Sequence, residues 1–283
     1  MAVEGLIAER RPDVVVADCM VLASLRGALT SGVPTVVLFH TLGAYWLESF
    51  GAGPAGAFFG ALGLAPRRLW ERAGERLLLT DSELDPGRNA PAAAGYTWVG
   101  TTETGVAPTS RGAVPRILVS LSSTEWPGML SVYRRIAAAL ADLSVEATVT
   151  TGRVDLGGEI VGAANVDVRG WISHDEVLPW VDLVIGHGGH STTMKALAHG
   201  VPLLVLPINP TADQRIIGET LQNSGNGRWL AKSATPAAIG ATVELMLADD
   251  QLAARAAATG HRLRSTRSGA EEAADQIIAV LEE

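Results

Sequence analysis

The sequence predicts an α/β fold made of two Rossmann-like domains, the first of them incomplete. Three observations carry that expectation. Short apolar runs alternate with amphipathic stretches, as in Asp13–Ala17, Leu22–Thr30 and Thr35–Phe39, and β-α-β order implies parallel strands joined by right-handed crossovers. The pattern starts again at Arg116–Leu121, after a polar, proline-bearing stretch, Thr101–Val114, that reads as a linker. The second half then sets a glycine turn between a buried strand and a helix, the place where parallel sheets take ligands.

Taken in order, the chain opens with a helix over Val3–Arg10 and passes at once to the strand Asp13–Ala17. The helix Leu22–Thr30 stops at Gly32-Val33-Pro34, and the strand Thr35–Phe39 follows. A glycine-rich loop, Gly43–Gly56, leads to a helix ending near Arg72; Arg76–Leu79 is a short strand and Trp98–Gly100 closes the segment. The second half begins with the strand Arg116–Leu121 and a helix over Met129–Leu143. Strands Val145–Thr150, Val166–Arg169 and Val181–Gly186 come next. His187–His190 is a tight turn, Ser191 and Thr192 stand where a helix is capped, and Thr193–His199 continues that helix. Gly200-Val201-Pro202 ends it, and Leu203–Leu206 is a second buried strand. Helices near Asp213–Asn223, Pro236–Leu247, Gln251–Arg264 and Gly269–Leu281 complete the chain. The expected domains are 1–100 and 115–283, the second holding the terminal helix, with 101–114 between them.

Composition excludes several classes. A chain of 283 residues with 47% hydrophobic and 18% charged content is globular and long enough for sizeable cores. A net charge of −8 argues against nucleic acid as a partner. The single cysteine, Cys19, permits no internal disulfide and suits a reducing compartment. No apolar run approaches a membrane span, and the start, MAVEGLIAERRPD, lacks the apolar core of a signal peptide. A cytoplasmic protein is expected. All but two of the 22 basic residues are arginine, a usage associated with bacteria of high GC content.

Chemistry concentrates in the stretch Trp171–Gln214. A glycine turn feeding a helix N-terminus aims backbone N–H groups and the positive end of the helix dipole at an anion, phosphate above all. The turn alone is a weak signal: the lysine of a P-loop is missing, and Ser191 stands in place of the third glycine of a dinucleotide fingerprint. The next strand also lacks the acidic end an NAD site uses. The spacing says more. Trp171 lies 16 residues before His187, and Asp213-Gln214 lies 26–27 residues after it. Together they offer an aromatic face for a base, an imidazole and amides for a diphosphate, and an acid-amide pair for sugar hydroxyls. Asp213 and Gln214 have a second reading, as cap residues of the helix they begin. His190 points either to the anion or to solvent.

These residues resemble the donor-binding signature of family 1 glycosyltransferases, the GT-B enzymes that include antibiotic, macrolide and plant glucosyltransferases. The match rests on Trp171, the run His187–Thr192, Gly200–Pro202 and Asp213-Gln214. The resemblance implies an inverting transfer from a nucleotide sugar, UDP- or dTDP-linked, to a hydroxyl of a small acceptor, with no metal and no other cofactor. It implies that Trp171, followed by Ile172, stacks on the nucleobase, and that His187, Gly188, Gly189, His190, Ser191 and Thr192 hold the diphosphate. Asp213 and Gln214 then contact the sugar, and Ser122 and Ser123 belong to a serine loop near the donor phosphates. Lys195 departs from the plant pattern, which has a glutamate there for the ribose hydroxyls.

The first half matches the family less fully. The resemblance covers nearly the whole chain, yet only the last two-thirds or three-quarters of a family member; the glycine loop with the catalytic histidine is not found. Asp18 matches the aspartate that orients that histidine. His40 is the one histidine in the first hundred residues and is the replacement candidate for the base. Tyr45, Trp46 and Phe50 suggest an apolar acceptor surface, or a cover for the sheet edge left by the missing strands. Such an edge invites a second copy or a partner chain. The alternative reading is therefore a catalytically incomplete donor-binding or auxiliary protein that works with another polypeptide. His174, His199 and His261 read as surface or helix residues without partners.

Overall fold

The structure is a computed structural model that describes residues 3–109, 112–156 and 158–282. The linker expected over 101–114 thus includes two positions, 110 and 111, outside the described residues. The chain forms two compact units, one of Met1–Thr102 with Thr266–Glu283, the other of Glu103–Ser265.

The first unit runs α1 (Val3–Arg10), β1 (Val15–Asp18), α2 (Leu22–Ser31), β2 (Thr35–Phe39), α3 (Pro54–Ala61), α4 (Pro66–Trp70), β3 (Glu75–Leu78) and β4 (Thr97–Trp98). Its strands lie in the order β1-β2-β3-β4, all parallel. Val36, Val37 and Phe39 of β2 are buried, as a strand covered on both faces requires. β1 is an edge strand of this sheet, and its Val16 is 43% exposed.

Where one helix was expected before Arg72, the chain instead makes a wide helical turn over Tyr45–Phe50, then α3 and α4. The glycines and the prolines that begin α3 and α4 break the run into pieces. The expected apolar acceptor surface at Tyr45, Trp46 and Phe50 is corrected by the burial of Trp46 and Phe50, with Tyr45 half-buried beside them. Trp46 is 1% and Phe50 8% exposed; Trp46 packs edge-on against Phe39 and Trp70, and Phe50 stacks on Trp70, in the first unit's core. Removing large aromatic side chains from water outweighs any benefit of displaying them.

The second unit runs β5 (Arg116–Ser120), α5 (Met129–Ala141), β6 (Glu146–Thr150), β7 (Val166–Arg169), α6 (His174–Val177), β8 (Leu183–Gly186), α7 (His190–Ala198), β9 (Leu203–Val205), α8 (Gln214–Ser224), β10 (Gly227–Trp229), α9 (Pro236–Leu247) and α10 (Asp250–Ser265). The six parallel strands are ordered β10-β9-β8-β5-β6-β7. The chain steps outward from β5 through β6 to β7, then returns to β8 on the other side of β5. The order therefore reverses between β5 and β8, and a crevice opens at the carboxyl ends of strands at such a reversal. Tyr133 of α5 ties that end together: its hydroxyl donates to the Thr150 carbonyl (2.8 Å) and accepts from the Leu121 N–H (3.1 Å). Burial raises its pKa to about 12. The edge strand β10 is absent from the sequence reading because Gly-Arg-Trp carries neither alternation nor an apolar run.

The terminal helix α11 (Gly269–Ala279) does not belong with the second unit, as the expected domain 115–283 had it. Its Ala273 and Ile277 pack with Val36, Leu77 and Val99 of the first unit. Glycine makes this approach workable: a Cβ at Gly269 would stand 2.2 Å from the Gly100 carbonyl oxygen, and the Gly269 N–H donates to Thr101 (2.9 Å). Among the described residues, no helix is long and apolar enough to cross a membrane.

Candidate functional site

The crevice at the β5–β8 reversal is a cavity of about 450 Å³. Strand ends supply its floor: Ser120 ends β5, Thr150 ends β6, and His187 follows β8. The turn after β8 is built on glycine. Gly188 has φ +85°, and a Cβ there would stand 2.7 Å from the Gln214 carbonyl oxygen. At Gly189 a Cβ would come within 2.7 Å of the His187 imidazole. Both positions need glycine, one for its backbone angle and the other for its ring neighbour.

This turn caps α7 at least two residues earlier than expected. Gly189 is the N-cap, in extended conformation, and no side chain caps the helix. Ser191 and Thr192 are therefore not caps; they sit in the first turn, whose N–H groups lack helical acceptors. The Ser191 hydroxyl donates instead to Glu103 (2.5 Å). His190, Ser191 and Thr192 all line the cavity, so the positive end of α7 faces into it.

His187 is 9% exposed, and its Nδ1 is sealed from solvent with no hydrogen-bond partner. Burial drives its pKa down to about 4. The ring is therefore neutral at neutral pH and acts as a hydrogen-bonding group, not as a fixed positive charge. His187 lines the cavity, but its unpaired Nδ1 faces the protein interior, where an unsatisfied polar atom is costly.

Trp171 is 63% exposed and lines the cavity with Ile172. The Arg153 guanidinium lies over its ring at 5.8 Å. Ser122 and Ser123 line the cavity from the loop after β5, where the Ser122 oxygen accepts from the Thr124 N–H and the Trp126 indole. Asp213 and Gln214 are not brought into the lining. Gln214 is 3% exposed, and its side-chain oxygen accepts from the N–H groups of Ile208 and Asn209 at 2.8 and 2.9 Å. It fixes the loop after β9, because a buried amide must satisfy its own polar atoms first.

Three lining residues carry interactions that sequence reasoning missed. His174 was expected to be an unpartnered surface residue. It is partly buried, pairs with the Ser120 hydroxyl at 3.0 Å, and has its pKa lowered by burial and by Lys195. Asp175 and Lys195 form an ion pair at 3.1 Å. The run Ser173-His174-Asp175 reads as an ordinary helix start, so only its nearness to Trp171 could have flagged it.

In the first unit the carboxyl ends of β1 and β2 bring Asp18 and His40 together. Register places Asp18 beside Leu38, and the His40 Nδ1 meets the Asp18 carboxylate at 2.9 Å. The other carboxylate oxygen accepts the Met20 N–H at 2.8 Å. With Nδ1–H donated to Asp18, Nε2 is left as the basic nitrogen. The Cys19 sulfur lies 4.0 Å from the same ring, and Asp18, Cys19 and His40 offer ligand atoms within 4.8 Å of one another. Burial first, and the Asp18 charge second, push the thiol pKa up, and a metal binds the thiolate.

Comparison with known proteins fits this geometry. The family model described as "Erythromycin biosynthesis protein CIII-like, C-terminal domain" matches residues 134–280, just over half of the chain. The chain belongs to that family. Among its relatives, demethyllactenocin mycarosyltransferase of Streptomyces fradiae is 32% identical over 143 residues, 49% of this chain and 30% of the relative. NDP-glycosyltransferase YjiC of Bacillus subtilis is 29% identical over 59% of this chain and 42% of the relative. The matched stretch thus spans less than half of either relative. Among solved structures, the glycotransferase of kitacinnamycin aligns with a TM-score of 0.76 at 23% identity, over 98% of this chain and 78% of that one. The glycosyltransferase SnogD from Streptomyces nogalater aligns at 0.69 with 25% identity, over 98% and 77%. The fold of this family member is the GT-B type of α/β architecture.

Proposed function

We propose that this protein is a glycosyltransferase that binds a nucleotide sugar in the second unit and transfers the sugar, with inversion, to a hydroxyl of a small apolar acceptor. The observation that carries the reading is the uncapped N-terminus of α7, which opens with the neutral imidazole of His187 onto the crevice where strand order reverses. A diphosphate satisfies that wall: its oxygens accept from the first-turn amides of α7 and from imidazole N–H, and no net charge is needed on the ring. Trp171 supplies the face for the base. A solved neighbour that aligns at a TM-score of 0.71 was crystallised with dTDP, and UDP- and dTDP-linked donors are the candidates.

In the transfer, the acceptor oxygen forms a bond to the sugar's anomeric carbon as the bond to the diphosphate oxygen breaks. His40 Nε2 takes the acceptor proton, with Asp18 holding the ring's tautomer and stabilising its charged form. Helix dipole and amides of α7 stabilise the charge gathering on the departing diphosphate. No divalent ion and no further cofactor enters this scheme.

The test is calorimetric titration with UDP and dTDP. Wild-type protein is expected to bind one of them, and His187→Ala to weaken that binding by roughly tenfold or more, the worth of one lost hydrogen bond to a charged group. Unchanged affinity in the variant overturns the site assignment. A second reading, a donor-binding protein that needs another polypeptide for transfer, draws on the edge position of β1 and its exposed Val16. Size-exclusion chromatography decides it: a homodimer or a requirement for a partner favours this reading, and an active monomer removes it.

A further inference from the structure

The ion pair at the cavity wall is part of a longer chain of side chains. Ser191 donates to Glu103 Oε1 at 2.5 Å, Glu103 Oε2 lies 3.5 Å from Lys195 Nζ, and Lys195 Nζ lies 3.1 Å from Asp175 Oδ1 and 3.3 Å from its Oδ2. The inner members are sheltered, with side chains 22% exposed for Lys195 and 19% for Glu103, whereas the Asp175 side chain is 62% exposed. Asp175 and Lys195 line the cavity; Glu103 holds Lys195 without lining it. Burial pulls the lysine's pKa down, but Asp175 and Glu103 outweigh it, so the ammonium keeps its charge.

Of the two carboxylates on this ammonium, it is the exposed Asp175 that presents its oxygens to the cavity. Such a group repels phosphate and accepts from hydroxyls. The cavity already has an anion end at α7 and His187 and a flat aromatic at Trp171, and Asp175 follows Trp171 by one helical turn of sequence. We propose that Asp175, held in place by Lys195, accepts a hydrogen bond from a pentose hydroxyl of the donor nucleotide and so discriminates the sugar of the nucleoside. The ammonium bridges both Asp175 oxygens, which occupies their facing lone pairs. An outer lone pair remains for the hydroxyl. Lys195 is a positioning residue: it fixes the direction of that acceptor without touching the sugar.

This proposal rests on reading the cavity as a nucleotide site, and one experiment separates the two. Calorimetry on wild-type protein compares whichever of UDP and dTDP binds more tightly with its 2′,3′-dideoxy analogue. The natural nucleotide is expected to bind about tenfold more tightly or better, the worth of a hydrogen bond to a charged acceptor. Asp175→Asn is expected to bring that ratio close to one, chiefly by weakening the natural nucleotide. Lys195→Met lowers the ratio in the same direction, and Lys195→Arg restores most of it. A general loss of structure weakens both ligands alike and leaves the ratio unmoved. If wild-type protein binds no nucleotide, the cavity reading fails and takes this proposal with it. If nucleotide binds and Asp175→Asn keeps the wild-type ratio, the cavity reading stands and Asp175 is not the discriminator.

Discussion

The two units each place a histidine at the carboxyl end of a parallel sheet, and they do opposite things with it. In the second unit His187 is sealed into a cavity wall, loses its affinity for protons through burial, and stands beside backbone donors. In the first, the His40 side chain is 49% exposed, and a carboxylate holds its Nδ1. On the proposed reading, the difference teaches how one side chain is given two jobs. A group that grips an anion works best neutral, dehydrated and rigid; a group that takes a proton must be reachable and must have its positive form stabilised.

The contrast breaks most sharply at His40. His40→Ala is expected to lower the transfer rate by about 10²–10⁴-fold while nucleotide binding measured by calorimetry stays at the wild-type value; a parallel loss of binding erases the division of labour. Next in size is Asp85, a buried carboxylate that accepts from the N–H groups of Gly43, Ala44 and Gly87 and from the Trp98 indole. Asp85→Ala strands those donors and is expected to cost about 3 kcal/mol or more. Scanning calorimetry should show the first unit's transition falling while added nucleotide still raises the second's.

Acid provides a third test. The native pKa of His187, about 4, lies below the ordinary value of 6.5. As pH falls the unfolded chain takes up this proton first, so stability is full above 6.5 and is lost progressively down to 4, by at most about 3 kcal/mol. Denaturant titrations at pH 7, 5.5 and 4.5 should show a shallower loss for His187→Gln than for wild type. His174 and His199, both also lowered, keep a slope of the same sign in the variant. The smallest effect is expected at Trp171: replacing it with Ala removes stacking worth about 1–3 kcal/mol, read as weaker nucleotide binding with pyrophosphate binding unchanged.

Much of this was written in the sequence. Elements that carry an apolar run or a helical pattern, such as Thr35–Phe39 and Pro236–Leu247, are found with the expected bounds. The glycine turn at Gly188–Gly189 announced itself because its chemistry is local. What stayed hidden depends on distant pairings. Glu103 meets Ser191 across 88 residues, and His174 meets Ser120 across 54; no spacing rule reaches so far. The structural partners of Gln214 stayed hidden for a related reason. Its place in sequence suggested the ligand, but its burial commits its oxygen to two backbone N–H groups. The aromatic loop misled in the same way, since Trp46 on a glycine-rich segment looks displayed until Phe39 and Trp70 are seen to enclose it.

The return of α11 to the first sheet has a consequence for how the protein is made. A chain leaving the ribosome N-terminus first carries all of the second unit, Glu103–Ser265, before residues 266–282 are synthesised. Val36, Leu77 and Val99 lack part of their cover through that interval, because Ala273 and Ile277 are made after the second unit. The unit that is begun first is therefore the one finished second. A chain cut short near residue 265 would keep its cavity and lose the cover over the sheet that bears Asp18 and His40.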